Sequence, residues 1–81
     1  MSDSELINLG LDNMVLKDRI VAIIKPDTAP IRRLIKESEK KNQVIDATQG
    51  RKTRSVVIMD SDRIILSPVR VKTLSERFGA D

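Results

Sequence analysis

The stretch Arg54-Ser55-Val56-Val57-Ile58-Met59-Asp60-Ser61-Asp62-Arg63-Ile64-Ile65-Leu66-Ser67-Pro68 decides the fold class. Two runs rich in β-branched residues flank a short polar break. β-Branched side chains fit an extended pleat better than a helix. Asp and Ser hydrogen-bond their own backbone in turns. Strands joined so closely pair as an antiparallel hairpin, and Pro68 ends the second because it has no N–H to give. Val56-Val57-Ile58-Met59 is apolar at consecutive positions, so both faces of that strand need cover.

Working outward, Val44 to Ala47 predicts another strand, turned by Thr48-Gln49-Gly50. A helix precedes it. Asp27 or Thr28 is placed to cap it, and Pro30 suits a first turn where no N–H is required. Ile31, Leu34, Ile35 and Ser38 recur at helical spacing and predict one buried stripe. Arg32, Lys36 and Lys40 form a basic row on its wet face, and Arg33 and Glu37 are spaced to pair. Asn42, which tolerates a left-handed backbone, is expected to end the helix.

Arg19 to Ile24 predicts a strand ended by Pro26. An unbroken pleat puts Arg19, Val21 and Ile23 on one face, and Ile20, Ala22 and Ile24 on the other. Leu6 to Leu9 is a short strand stopped by Gly10. Leu11 to Lys17 has a turn signal at Asp12-Asn13 and an apolar Met14-Val15-Leu16 without clear period. Val71, Leu74 and Phe78 predict a short C-terminal helix ending near Gly79, with Phe78 on its core stripe.

The expected architecture is α+β: a small, mainly antiparallel sheet, one central helix and a short C-terminal helix. Residues 1–81 are expected to form one domain, frayed at 1–4 and 80–81. A helix of about 13 residues spans only about 20 Å. Apolar sheet face or an open edge is then left over for another copy of the chain to cover.

Composition narrows the function. The chain has 81 residues, too few for a multidomain enzyme. It contains no Cys, His, Trp or Tyr, and Phe78 is its one aromatic. Disulfide frameworks, zinc-finger sites and Cys or His nucleophile–base pairs are thereby excluded. Single-stranded nucleic acid is disfavoured, because its binders stack bases on aromatic side chains. No run approaches a membrane span, and the acidic start Ser2-Asp3-Ser4-Glu5 does not resemble a signal peptide, so a cytoplasmic protein is expected.

Fifteen Lys and Arg oppose twelve Asp and Glu, a formal charge of +3. Arg51-Lys52-Thr53-Arg54 holds three cations and no acid, and without it the chain is neutral. Gly50 permits a sharp turn, so Arg51 and Lys52 are expected to project from its tip. Arg offers a planar fork to phosphate, Lys a point charge. Thr53 adds a hydroxyl donor, and Arg54 starts a strand. A solvated turn is the plainer reading of so short a basic run. Arg19, by itself, reads as a surface residue or the partner of an acid. Asp27, Asp46, Asp60 and Asp62 are economically explained as cap and turn residues rather than as metal ligands or catalytic carboxylates.

The assembled residues resemble the RemA-like regulators of extracellular-matrix genes in bacteria. The resemblance rests on Ile7-Asn8-Leu9-Gly10 with Asn13-Met14-Val15, Arg19-Ile20, and Pro26-Asp27-Thr28-Ala29-Pro30-Ile31. It continues through Asp46-Ala47-Thr48-Gln49-Gly50-Arg51-Lys52-Thr53-Arg54, Val57-Ile58-Met59-Asp60-Ser61-Asp62 and Ile65-Leu66-Ser67, covering residues 6–79. It implies a DNA-binding transcriptional regulator with a LytTR-like fold, assembled into closed rings. The family's DNA-contacting positions match Arg19, Arg51 and Lys52. Lys52 stands where a second Arg is usual, keeping the charge and losing the fork.

The expected function is therefore a homo-oligomeric regulator of extracellular-matrix or biofilm genes, acting at the nucleoid without catalysis. Its expected DNA-binding residues are Arg19, Arg51, Lys52 and Arg54. Its partners are double-stranded DNA and further copies of itself, with no metal, cofactor, membrane or small-molecule substrate. The alternative is a structural or protein-interaction oligomer whose basic patch meets an acidic partner.

Overall fold

The computed structural model describes residues 5–79, so the expected fraying at 1–4 and 80–81 lies outside the described residues. The elements are β1 (Leu6–Asn8), β2 (Met14–Leu16), β3 (Ile20–Ile24), α1 (Ala29–Lys40), β4 (Val44–Asp46), β5 (Ser55–Met59), β6 (Ile64–Ser67) and α2 (Val71–Gly79). β1 and β2 form a small antiparallel hairpin. The other strands form a sheet ordered β3-β5-β6-β4, antiparallel except where β4 runs parallel beside β6. This is the α+β, mainly antiparallel arrangement expected from the sequence.

Asp60-Ser61-Asp62 closes the β5–β6 hairpin. The Met59 amide donates to Arg63 O at 2.9 Å, and Asp62 sits at φ 64°, the left-handed position of a three-residue hairpin loop. The pairing sets Val56 opposite Leu66 and Ile58 opposite Ile64. These side chains form one face, packed against Ile31 and Ile35 of α1 and against Val44. Val57 and Ile65 face the other way, onto Ile7 and Leu9 of the β1–β2 unit and Leu74 of α2. Both faces of β5 are thus covered, as its unbroken apolar run requires.

α1 ends as Asn42 foretold. Asn42 adopts φ 56°, its amide donates to Glu39 O, and the Gln43 amide reaches back to Ser38 O at 2.9 Å. That pair of bonds is a Schellman motif, which satisfies two of the helix's last carbonyls. At the other end Thr28 is the N-cap by backbone geometry, without a capping bond from its hydroxyl.

The 11–17 segment resolves into a tight turn and β2. Leu11 and Asp12 both have positive φ, as a type I′ hairpin turn demands. Asn13 braces it, donating its side-chain amide to Gly10 O at 2.9 Å. Gly10 itself has φ 109°, and a Cβ there would stand 2.7 Å from Val69 Cγ2.

Several expectations are corrected. Arg19 belongs to a 3₁₀ turn, Lys17–Arg19, rather than to the strand. A bulge between Ile20 and Ala22 then breaks the alternation, so Ile20 joins Ile23 in the core beneath β1, β2 and α2. Val21 is left 66% exposed on the outer edge. Phe78 is 40% exposed rather than core, because it lies beside edge strand β3, with the Lys17 ammonium 5.9 Å from its ring centroid. Leu34 is at the margin of the α1 stripe and exposed. Arg33 and Glu37 form no ion pair, consistent with the small gain such pairs make in water. β4 stops at Asp46, although the Ala47 amide still bonds Leu66 O at 3.0 Å.

Candidate nucleic-acid interface

Strand direction gathers charge at one end of the sheet. β3 ends at Ile24 opposite Val56, near the start of β5, and Lys25 follows directly. β5 begins at Ser55 opposite Ser67, the last residue of β6. The Arg54 amide extends that ladder by donating to Ser67 O at 2.8 Å. β4, parallel to β6, delivers Thr48 to Arg51 to the same end, and α2 begins there after Arg70. Residues far apart in the chain therefore converge because four strand termini meet.

The basic turn is shaped by two positive-φ residues, Gln49 at 52° and Gly50 at 86°, and by the Arg51 amide donating to Thr48 O at 3.0 Å. Its base is clamped by Asp46. One carboxylate oxygen accepts from the Thr48 hydroxyl at 2.6 Å and from the Thr48 amide at 2.9 Å. Those bonds, the hydroxyl's first and then the amide's, hold the Asp46 carboxyl below its ordinary range. Thr48 is 3% exposed, so the bonded hydroxyl is not available to water. Asp46 thus positions the turn from which Arg51 and Lys52 project, both exposed.

Beyond the tip, residues 52–54 run as a ridge between two clefts. One, of about 380 Å³, is lined by Lys25, Pro26, Asp27, Lys52, Thr53, Arg54, Arg70, Val71 and Lys72. The other is lined by Gly10, Leu11, Arg51, Lys52, Arg54, Pro68, Val69 and Arg77. Seven cations and a single carboxylate line the two clefts together. None of the seven forms an ion pair among the described residues, and Arg77 alone has a side-chain hydrogen bond, donating to Asn8 O at 2.9 Å.

Of the residues expected to bind DNA, Arg51, Lys52 and Arg54 are brought together. Arg19 is not among them: its carbonyl accepts from the Asp60 amide, at the opposite end of β5 and about 20 Å from Arg54 along the strand. Its guanidinium contacts the Asp60 carboxylate at 3.3 Å, with both side chains substantially exposed. The sequence reading missed Lys25, Arg70, Lys72 and Arg77. None lies in a basic run, and the usable signal was position: Lys25 follows a strand directly, and Arg70 precedes a helix. No cluster of three metal-binding side chains exists among the described residues.

The chain matches the RemA-like family, described as extracellular matrix regulatory protein A-like, over residues 6–78. Among its relatives is a protein of Dictyoglomus turgidum, 51% identical over 78 residues, covering 95% of this chain and 92% of that one. A protein of Trichormus variabilis is 50% identical over 74 residues, covering 91% and 84%. Another from Heliobacterium modesticaldum is 50% identical over 78 residues, covering 96% and 86%. All three bear the name "Putative regulatory protein". No helix among the described residues is long and apolar enough to cross a membrane. With the match spanning nearly every element from β1 to α2, the chain belongs to the RemA-like family of regulatory proteins.

Proposed function

We propose that this protein is a double-stranded DNA-binding transcriptional regulator of extracellular-matrix or biofilm genes, working as a homo-oligomeric ring at the nucleoid. It acts by binding promoters and catalyses no reaction. Arg51, Lys52 and Arg54 supply the phosphate contacts of each copy, with Arg19 contributing from the other end of the sheet. The observation that carries this reading is the concentration of seven cations against one carboxylate at a single end of the sheet. Fixed like charges gathered without partners favour a polyanion. Phosphate contacts need no aromatic platform, and none of the residues lining the two clefts is aromatic.

Self-association is supported by what the monomer leaves uncovered. β3 and β4 are both edge strands. Val21 and Phe78 are exposed at the first edge, and Leu16 and Ile45 near the second. One copy offers only a few phosphate contacts, and repetition around a ring raises the effective concentration of each. A duplex following the ring would be bent, so sequence preference would arise partly from deformability.

A gel-shift with duplex DNA, run beside a light-scattering mass, tests both parts. Oligomers that retard duplex DNA at moderate salt are expected. A monomer, or an oligomer without retardation, would overturn the reading. The second outcome would favour an acidic protein partner.

A further inference from the structure

The basic turn accounts for only part of the charge at its end of the sheet. Lys25, Arg54, Arg70 and Lys72 come from three separate segments: the end of β3, the approach to β5 and the start of α2. They line one concave site with Lys52, and Asp27 is the sole acid there. Among the described residues these cations have no ion pair and no side-chain hydrogen bond. Holding unpaired like charges together in a cleft is unfavourable unless an anion joins them.

A second observation points the same way. The Leu74 amide donates to Arg70 O at 3.0 Å, which makes Arg70 the residue flanking the first turn of α2. Arg carries no acceptor, so its side chain cannot cap the amides of Val71, Lys72 and Thr73. Val71 and Lys72 line the cleft themselves. Free amides at a helix start favour anions.

We propose that Lys25, Arg54, Arg70 and Lys72 form a phosphate seat beside the basic turn, on the other side of the 52–54 ridge from Arg77. This inference rests on the reading of the chain as a duplex binder, in which the occupant is a DNA phosphodiester. A free phosphate compound is the other source of the same chemistry. The cleft, at about 380 Å³, has room for either.

The test uses the full chain, the double variant R70A/K72A, and a charge-matched control, K36A/K40A, on the exposed face of α1. Duplex affinity is measured by fluorescence anisotropy across a salt series, with circular dichroism to verify folding. R70A/K72A should weaken binding by about tenfold or more and make the log–log salt slope shallower by about 1.8, the value for two lost phosphate contacts. The control should change neither appreciably. Equal losses in both variants would mean that only net charge matters and would overturn the seat, as would unchanged binding by R70A/K72A. If wild type binds no duplex, the DNA reading fails. The seat is then judged by nuclear magnetic resonance titration with inorganic pyrophosphate. Shifts of the Lys25 and Val71 to Thr73 amides, absent in R70A/K72A, would identify a free-phosphate site, and their absence in wild type would sink the inference.

Discussion

Arg19 and Asp60 are bound twice: the Asp60 amide donates to the Arg19 carbonyl at 2.8 Å, and the Arg19 guanidinium meets the Asp60 carboxylate at 3.3 Å. The backbone bond locks the 3₁₀ turn onto the β5–β6 loop. The side-chain pair is different in kind, with exposures of 63% and 44%. A pair so wet contributes at most about 1 kcal/mol, so the guanidinium can exchange its carboxylate for phosphate. Asp60→Asn should therefore leave the melting temperature nearly unchanged while tightening duplex binding and steepening its salt slope. Arg19→Ala in the same background should remove that gain, measured by anisotropy titration. Identical behaviour of the single and double variants would exclude Arg19 from the contacts.

The basic turn is the next test. Arg51 and Lys52 are exposed, so the pair Arg51→Ala with Lys52→Ala should fold as wild type does. Duplex affinity should drop, with the salt slope shallower by about 1.8. Wild-type affinity and slope in this variant would show that the turn is merely solvated.

Asp46 supports that turn without reaching its tip. Asp46→Ala removes the one oxygen that accepts from both the hydroxyl and the amide of Thr48 and strands a buried hydroxyl, at a cost of about 1–3 kcal/mol. DNA binding should weaken as well, because the turn loses its clamp. The same carboxyl predicts a pH dependence. Its folded-state pKa is depressed, so the folded chain binds this proton less readily than the unfolded one. The stabilisation is present above the ordinary carboxylate value of the unfolded chain and is lost as pH falls through the lower folded one. Urea midpoints recorded down an acid series should fall more steeply in wild type than in Asp46→Ala.

Gly10 should accept no side chain. Its φ of 109° is strained for any other residue, and an added Cβ would press on Val69 at 2.7 Å. Gly10→Ala should lose about 1–3 kcal/mol or more by urea denaturation, the strain alone accounting for that range.

Val21 offers a test of assembly that does not touch the charged end. It is 66% exposed on edge strand β3, so Val21→Glu buries no charge within one copy. Light scattering should report a smaller mass for this variant, with unchanged circular dichroism. An unaltered mass would place the contact elsewhere.

Most of the architecture was legible because it followed local rules. The Val56–Met59 run, the Asp-Ser-Asp turn and Asn42 each announced their element through a short-range preference. The bulge at Val21 did not, since a skipped residue leaves no mark in an apolar run and becomes visible only in pairing. Phe78 misled for a related reason: helical spacing tells which side a residue occupies, not whether the neighbouring sheet extends far enough to meet it. β2 was obscured because its residues alternate only weakly and its turn places Leu11, a residue unsuited to positive φ, at such a position. The candidate site was half legible. Arg51 to Arg54 are adjacent in the chain, whereas Lys25 meets them and the Arg70–Lys72 segment only through the fold.

The parallel placement of β4 beside β6 has one more consequence. β3 is antiparallel to β5, and β5 to β6, so β3 and β4 point the same way along the sheet's two margins. Copies joined by parallel pairing of one copy's β3 with the next one's β4 would all face in one direction, each joining its tail to the next one's head. Such a train has no natural terminus except the return of its last member to its first, and the curvature of a single joint would therefore set the number of copies.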